Sequence, residues 1–328
     1  MLKIIMIISA MLHTFIVMSM DVLGNNMGAA LNYADVFQRG LGGQKFTVGV
    51  RFSALYDAAG TSTNQFKYID GKTIKIPVLT VTGMVDTTRD TIGTATRKVD
   101  NAWETKTLSH DRTFRTLVDP ADIDETNMAV SIGNITSVFV NEELFPEMDK
   151  YMASKLFTEV TAYGTINNDA VATAANVLAV FDKFMTALDE SEVPEEGRYL
   201  YVTPAINALL KEALNNSRQL GTAQAGNDVS RIINMIDDVK RVTVPSARMK
   251  EAYVFTIGAV AAAGADQINM ILVHPKAVIA PIKIDVIYVD EPSAVTDGKA
   301  LYMQRQYWDA FLLEQKAAGC QINATVVA

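Results

Sequence analysis

The chain has 328 residues, of which 49% are apolar and 20% are charged, so it has ample material for one large core or two ordinary ones. Its net charge of −8 argues against a general nucleic-acid binder, since such proteins need a basic surface. A single cysteine excludes an intrachain disulfide framework, and three histidines with that cysteine leave almost nothing for a zinc site.

The chain begins with an apolar segment at residues 1–20. Between Ile4 and Met20, thirteen of the seventeen residues are apolar and none is Asp, Glu, Lys or Arg. A charged start followed by an apolar run is typical of a secretory signal, but the cleavage region is poor and the run is slightly short for a membrane span. Because polar, loop-like sequence begins at Asp21, we favour a non-native upstream start or a removable leader.

An extended N-terminal arm is predicted for residues 21–71. The segment is rich in glycine and is punctuated by asparagine and aspartate, which favours loops with short helical patches. Its expected anchors are the apolar residues around Phe46 and the stretch from Phe52 to Tyr56.

Residues 72–118 contain two strand-type stretches around a polar tip. The first leads out from Lys72 to Thr82 and the second leads back from Trp103 to Val118, with twelve threonines between Thr73 and Thr116 giving a strong β bias. A two-stranded ribbon of this length is at best marginally stable alone in water, so we expect it to contact a second subunit. The predicted contact residues are Lys72, Asp86, Arg89, Trp103, Glu104, Lys106 and Arg112.

Residues 119–165 are predicted to contain one long helix that begins near Glu125 after an acidic entry. Apolar residues recur at three- and four-residue steps, apart from one wider gap, which indicates a single apolar stripe on a long helix. The stripe consists of Ile132, Ile135, Phe139, Phe145, Met148, Met152 and Leu156. Pro146 should kink this helix rather than end it, because the periodicity continues beyond it. About thirty helical residues span about 45 Å, which suits a spine along an elongated subunit.

The pattern changes to regular helices and strands after Gly164. The face from Val177 to Leu188 is helical, and Thr203-Pro204 is a good N-cap and first-turn pair for a helix through Leu214. The predicted strands are Arg198–Val202, Lys240–Val244, Ile268–Val273, Ile282–Val289 and Leu301–Leu313.

The candidate chemical motifs are weak. Ser109, His110 and Asp111 are the residue types of a hydrolytic triad, but neighbours on a strand point to opposite faces and cannot form a relay. The segment Asp70–Thr73 contains the final Gly-Lys-Thr of a phosphate-binding loop but lacks the upstream glycine of that motif. The segment therefore indicates a hairpin turn. The acidic residues Asp119, Asp122, Asp124 and Glu125 have the oxygen ligands of a cation site without calcium-loop spacing, so helix capping is favoured. We therefore expect no enzyme, cofactor or metal.

Several segments together resemble the major capsid protein of tailed bacteriophages, in order and spacing, from about Phe46 to Ala324. The matching segments are Lys72–Pro77, Trp103–Arg112, Val118-Asp119, Asp122–Thr126, Phe145–Tyr151, Ser154-Lys155, Leu200–Pro204, Leu209–Lys211, Val244–Ser246, His274–Val278, Tyr307–Phe311 and Lys316–Gly319.

The resemblance implies an α+β capsid fold with an N-terminal arm, an extended β-hairpin loop, a peripheral domain with a long spine helix, and an axial α/β domain. On this basis residues 72–118 would be the hairpin loop, residues 119–165 the peripheral domain with its spine, residues 166–280 the axial domain, and residues 281–328 the strands that complete both domains.

The resemblance also implies a function. The chain would self-assemble through hexamers and pentamers into an icosahedral head that encloses double-stranded DNA in the virion, with a portal protein as a further partner and no membrane involved. A motor drives DNA into such a shell, so an acidic subunit is compatible with this role. Because the arm is too short to contain a scaffolding segment, a separate scaffolding protein is expected.

Two alternatives remain open from the sequence. A cargo-enclosing bacterial compartment uses the same fold, and a secreted or surface-anchored binding protein would explain the apolar segment at residues 1–20 as an export signal. Assembly of capsid subunits in the host cytoplasm makes an export signal unnecessary, which favours the upstream-start interpretation of that segment.

Overall fold

The computed structural model describes residues 49–60, 67–68, 72–81, 83, 99–120, 132–171, 173–217 and 235–325. Residues 1–48, which include the apolar segment and most of the arm, lie outside these ranges, as do the ribbon tip with Asp86 and Arg89 and the acidic residues Asp122, Asp124 and Glu125. The predictions made for those residues stay predictions.

The described part of the chain mixes helices and strands. The helices are α1 (Ser53–Gly60), α2 (Ile132–Phe139), α3 (Phe145–Tyr163), α4 (Ala174–Glu190) and α5 (Pro204–Ser217). The strands are β1 (Lys67–Tyr68), β2 (Thr73–Val81), β3 (Val99–Thr107), β4 (His110–Val118), β5 (Tyr199–Val202), β6 (Met235–Ile236), β7 (Val239–Thr243), β8 (Tyr253–Val254), β9 (Val260–Ala261), β10 (Gln267–Val273), β11 (Val278–Ile279), β12 (Ile282–Asp290), β13 (Ala300–Trp308), β14 (Phe311–Leu312) and β15 (Cys320–Thr325).

Strands β2 and β3 form the predicted ribbon. They pair antiparallel over nine residues, from Thr73 opposite Thr107 to Val81 opposite Val99, and β1 adds a short third strand beside β2. Threonine and other β-branched residues make up six of the nine residues of β2, and such residues fit the pleated backbone. The prediction of two facing strands is therefore confirmed.

The returning strand is shorter than predicted. It ends at Thr107, and the continuation β4 pairs with β13 in a different sheet of order β12–β13–β4. The chain changes sheets at Leu108, whose side chain is buried and whose backbone N–H donates to the carbonyl of Lys72 at 2.7 Å. The prediction of one strand from Trp103 to Val118 is wrong, because burial of Leu108 outweighs continuation of the β pattern.

The predicted long helix is present in the described residues from Ile132 onward. Helix α2, a π-helical turn at Val140–Leu144, and α3 follow one another with helical backbone angles at both junctions. Pro146 lies in the first turn of α3, directly after the wider turn, where its missing N–H and its ring are accommodated. The helical path therefore continues through the proline, as predicted, and Met152 and Leu156 on its stripe are fully buried.

The residues after Gly164 build a five-stranded sheet of order β15–β10–β5–β7–β6. Strands β5 and β7 are parallel and the other pairs are antiparallel. Helix α4 is capped by Thr173, whose side chain accepts from the backbone N–H of Asn176 at 3.3 Å, and α5 begins at Pro204 as predicted. An apolar cluster that includes Phe181 and Leu210 packs both helices on this sheet.

A second apolar cluster joins the long helix to the rest of the chain. Met152 and Leu156 of α3 pack with Phe52 and Tyr56 from the end of the arm and with Trp308 of β13. The prediction that Phe52–Tyr56 anchors the arm is thus confirmed. The buried carboxylate of Asp149 accepts from the backbone N–H groups of Arg51 and Phe52 and from the guanidinium of Arg248, which fixes α1 against α3.

Candidate functional site

The ribbon has two chemically different faces. Successive side chains on a strand alternate between faces, and the register places Ile74 opposite Lys106 and Ile76 opposite Glu104 on one face, called here the inner face. The other face, called here the outer face, carries an apolar stripe. Its members are Pro77, Leu79, Val81, Val99 and Trp103.

The apolar stripe of the outer face is open to solvent. Leu79 is 68% exposed, Val81 is 61%, Trp103 is 52% and Val99 is 43%. Five neighbouring apolar side chains on one side of a strand pair form a contiguous patch, and such patches mark sites of interaction with another protein. The stripe is therefore the candidate contact surface of the ribbon.

The inner face packs on other parts of the same chain. Ile74 is fully buried in a cluster with Leu108, Tyr307 and Phe311, and Ile76 is buried against Ile279 and Leu313. This burial determines which face of the ribbon points away from the rest of the chain.

Polar contacts reinforce the inner face at the end of α3. The ammonium of Lys106 donates to the hydroxyl of Tyr163 at 2.8 Å and lies 4.7 Å from the centre of that ring. It also forms ion pairs with Glu104 of the ribbon at 3.0 Å and with Glu159 of α3 at 3.6 Å. Burial alone would lower the pKa of Lys106, but these three partners outweigh it and the pKa lies above its ordinary value.

The root of the ribbon is held by Asp309, which follows β13 and is fully buried. Its carboxylate accepts from the backbone N–H of Ser109 at 2.8 Å, the Ser109 hydroxyl at 3.2 Å, the Tyr151 hydroxyl at 2.7 Å and the backbone N–H of Ala310 at 2.8 Å. Burial, together with the charge and the hydrogen bond of Asp309, raises the pKa of Tyr151. One carboxylate thus connects the ribbon root, α3 and the end of β13.

A second polar cluster connects β4 to α3 and to the β8–β9 hairpin. Glu147 accepts from Arg112 Nε at 2.7 Å and contacts His110 Nε2 at 3.2 Å, and Arg112 also donates to the backbone carbonyls of Phe255 and Gly258. Burial alone would raise the pKa of Glu147, but the hydrogen bond from His110 and the charge of Arg112 outweigh it, and the pKa is lowered.

The five predicted contact residues that lie within the described ranges are therefore dispersed. Glu104 and Lys106 lie together on the inner face, whereas Trp103 lies on the outer face. Lys72 is exposed at the ribbon root and Arg112 lies in the Glu147 cluster. A direct role in contacts between copies stays a prediction for all seven residues, including Asp86 and Arg89 outside the described ranges.

Two features of this site were not predicted from the sequence. The outer stripe was visible as apolar residues two apart at Pro77, Leu79 and Val81, a period that places them on one face of a strand. Asp309 had a weaker signal, as one carboxylate between the apolar residues Trp308 and Ala310.

The adjacent triad-type residues do not act together. The Ser109 hydroxyl bonds Asp309, the His110 ring contacts Glu147 and the Asp111 carboxylate pairs with Arg305 at 2.6 Å. This divergence agrees with the alternation expected on a strand. Within the described ranges no cluster of three or more His, Cys, Asp or Glu side chains is arranged to hold a metal ion, and no helix there is long and apolar enough to cross a bilayer.

No protein-family model matches the sequence, and no curated protein matches it significantly. Solved structures are similar in fold. The capsid of cyanophage P-SCSP1u has a TM-score of 0.59 at 14% identity, over 93% of this chain and 97% of that chain. The mature capsid of bacteriophage PhiM1 has a TM-score of 0.60 at 12% identity, over 79% and 83%. The capsid of cyanophage Pam1 has a TM-score of 0.55 at 12% identity, over 87% and 94%.

The chain therefore has the α+β fold of tailed-phage capsid proteins, and the predicted fold class is confirmed. Because these identities are low, the likeness establishes the architecture, and the function is argued from the surfaces of this chain.

Proposed function

We propose that this chain is the structural subunit of the icosahedral head of a tailed bacteriophage, located in the virion. The observation that carries the proposal is the outer stripe of the ribbon. Its apolar side chains face solvent in the single subunit, while the inner face is fixed to the body. In a fold shared with capsid proteins, such a surface supports contact with a second copy of the chain.

The arrangement is suited to assembly rather than to chemistry. Burying large apolar side chains provides most of the favourable free energy of protein association, and the stripe offers four such side chains in a row. The polar clusters around Asp309 and Glu147 are enclosed and bonded within the subunit, which supports a structural role for them. A structural role of the whole chain is also what the capsid-fold neighbours suggest.

In this proposal each segment has a distinct task. The ribbon within residues 72–118 contacts a neighbouring subunit, and the spine within residues 119–165 carries the length of the peripheral domain. Residues 166–280 form the axial domain at the centre of each hexamer or pentamer, and residues 281–328 complete both domains. The continuous helical path of α2 and α3 supports the spine assignment.

The partners follow from the same proposal. The shell encloses double-stranded DNA without binding a sequence, which agrees with the net charge of −8. A separate scaffolding protein guides assembly, and a portal protein occupies one vertex.

Electron microscopy of the expressed protein, with and without the scaffolding gene beside its own gene, tests the proposal. We expect closed shells built from hexamers and pentamers in at least one of the two conditions. Protein that remains monomeric in both conditions would contradict the proposal.

Deletion of the ribbon tip from Met84 to Ala102 tests the part played by the ribbon. The deleted segment includes Val99 but no part of the five-stranded sheet β15–β10–β5–β7–β6. We therefore expect a folded subunit with native-like circular dichroism that no longer forms shells. If this variant formed normal shells, the ribbon would not be one of the contacts needed for assembly.

A further inference from the structure

The ribbon meets the end of the spine helix at one enclosed lysine. The Lys106 side chain is 11% exposed, and its two carboxylate partners are exposed to a similar degree, Glu104 by 14% and Glu159 by 12%. Lys155 extends the cluster by pairing with Glu159 at 3.4 Å, one turn earlier on α3. Two ammonium groups therefore balance two carboxylates between the ribbon and the helix.

We propose that Lys106 is a positioning residue, which sets the direction in which the ribbon leaves the subunit and thereby the geometry with which one copy meets the next. The proposal rests on the proposed function for its consequence in assembly. Its basis within the single subunit is the placement of Lys106 between a carboxylate on the ribbon and a carboxylate and a phenol on α3.

Apolar packing by itself does not determine this direction. Ile74 and Ile76 anchor the ribbon root, but apolar contact is non-directional and permits rocking about the anchor. Ion pairs and hydrogen bonds with a charged donor have defined distances and angles, and they are stronger where solvent is partly excluded. Lys106 adds such contacts from β3, opposite Ile74 of β2 on the same inner face.

The charge balance makes the contact sensitive to loss of the lysine. Glu104 belongs to the ribbon and Glu159 to the helix, so Lys106 joins two groups of like charge. Without its ammonium, the two carboxylates repel one another across the ribbon–helix contact, and Lys155 remains to pair with Glu159 alone. The expected result is a ribbon that moves away from α3 while the subunit core is unchanged.

Hydrogen–deuterium exchange on the unassembled subunit is the direct test. In Lys106→Met, which keeps most of the aliphatic stem, the amides of β2 and β3 should exchange about tenfold faster, while those of α4 and β10 keep their rates. Lys106→Arg should restore slow exchange because it keeps the charge. Lys75→Met is the matched control, since Lys75 lies on the outer face of the same ribbon.

Tyr163→Phe provides a second variant in case Lys106→Met folds poorly. It removes the hydroxyl that accepts from Lys106 without changing any charge or the apolar anchor, so it should accelerate ribbon exchange in the same direction by a smaller factor. Wild-type exchange in the ribbon of both variants would overturn the proposal.

Shell morphology tests the consequence for assembly. Lys106→Met should give shells of mixed diameter or open sheets, whereas Lys106→Arg should give shells as uniform as the wild type. Uniform wild-type shells from Lys106→Met would overturn the assembly part of the inference. Wild-type protein that forms no shells would instead refute the proposed function, and the exchange rates would still decide whether Lys106 holds the ribbon.

Discussion

Replacing Trp103 by threonine should weaken assembly strongly while leaving the subunit folded. Trp103 is 52% exposed, and a large aromatic side chain offers up to about 250 Å², so association through the outer face would remove up to about 130 Å² from water. At about 25 cal/mol per Å², this burial contributes about 3 kcal/mol to each contact. Threonine keeps the preference for a strand and still buries part of that area. The substitution therefore removes about 2–3 kcal/mol of the free energy of association.

The measurement is the critical concentration for shell formation, followed by light scattering and sedimentation. If each subunit makes one ribbon contact, this loss of association free energy raises the critical concentration by between about 30-fold and 150-fold. The free energy of unfolding of the unassembled variant should change by no more than about 1 kcal/mol, the size of one cross-strand pair. Thr80→Ala, on the opposite face of the same ribbon, is the control and should assemble normally. An unchanged critical concentration for Trp103→Thr would refute the reasoning.

Three further predictions concern the unassembled subunit, measured by urea unfolding. Asp309→Asn should lower the free energy of unfolding by about 3 kcal/mol, because an amide cannot accept from all four donors; a loss below about 1 kcal/mol would contradict this role. Leu156→Ala should lower the free energy of unfolding by about 3 kcal/mol because it leaves a cavity in the core. A substitution at exposed Thr158 should not have this effect. The lowered pKa of Glu147 stabilises the fold above about pH 4.5, so stability should fall as the pH drops through the folded-state pKa, and less steeply in Glu147→Gln.

Patterns with a clear period were predictable from the sequence. The helical stripe ending at Met152 and Leu156, the helix beginning at Pro204 and the alternating strand from Ile282 all occur as expected. In α3 and α5 local propensity and burial favour the same structure, so a single sequence carries enough information there.

The division of β3 and β4 between two different sheets was not predictable from the local sequence. Thr107 and His110 both lie in sequence typical of strands, yet they belong to different sheets. The change depends on Leu108 entering an apolar cluster and on Ser109 meeting the carboxylate of Asp309, which is 200 residues away in the chain. Contacts of that separation have no local signature.

The sequence by itself determined that the chain contains a β-rich ribbon, a long helical segment and a region of mixed helices and strands, because periodicity and β preference are local properties. Tertiary structure alone decided which face of the ribbon is available to a partner. Ile74 and Ile76 are buried against the body, and this leaves Leu79, Val81 and Trp103 on the exposed side. Alternation divides a strand into two faces, but only packing against distant residues determines which of them faces solvent.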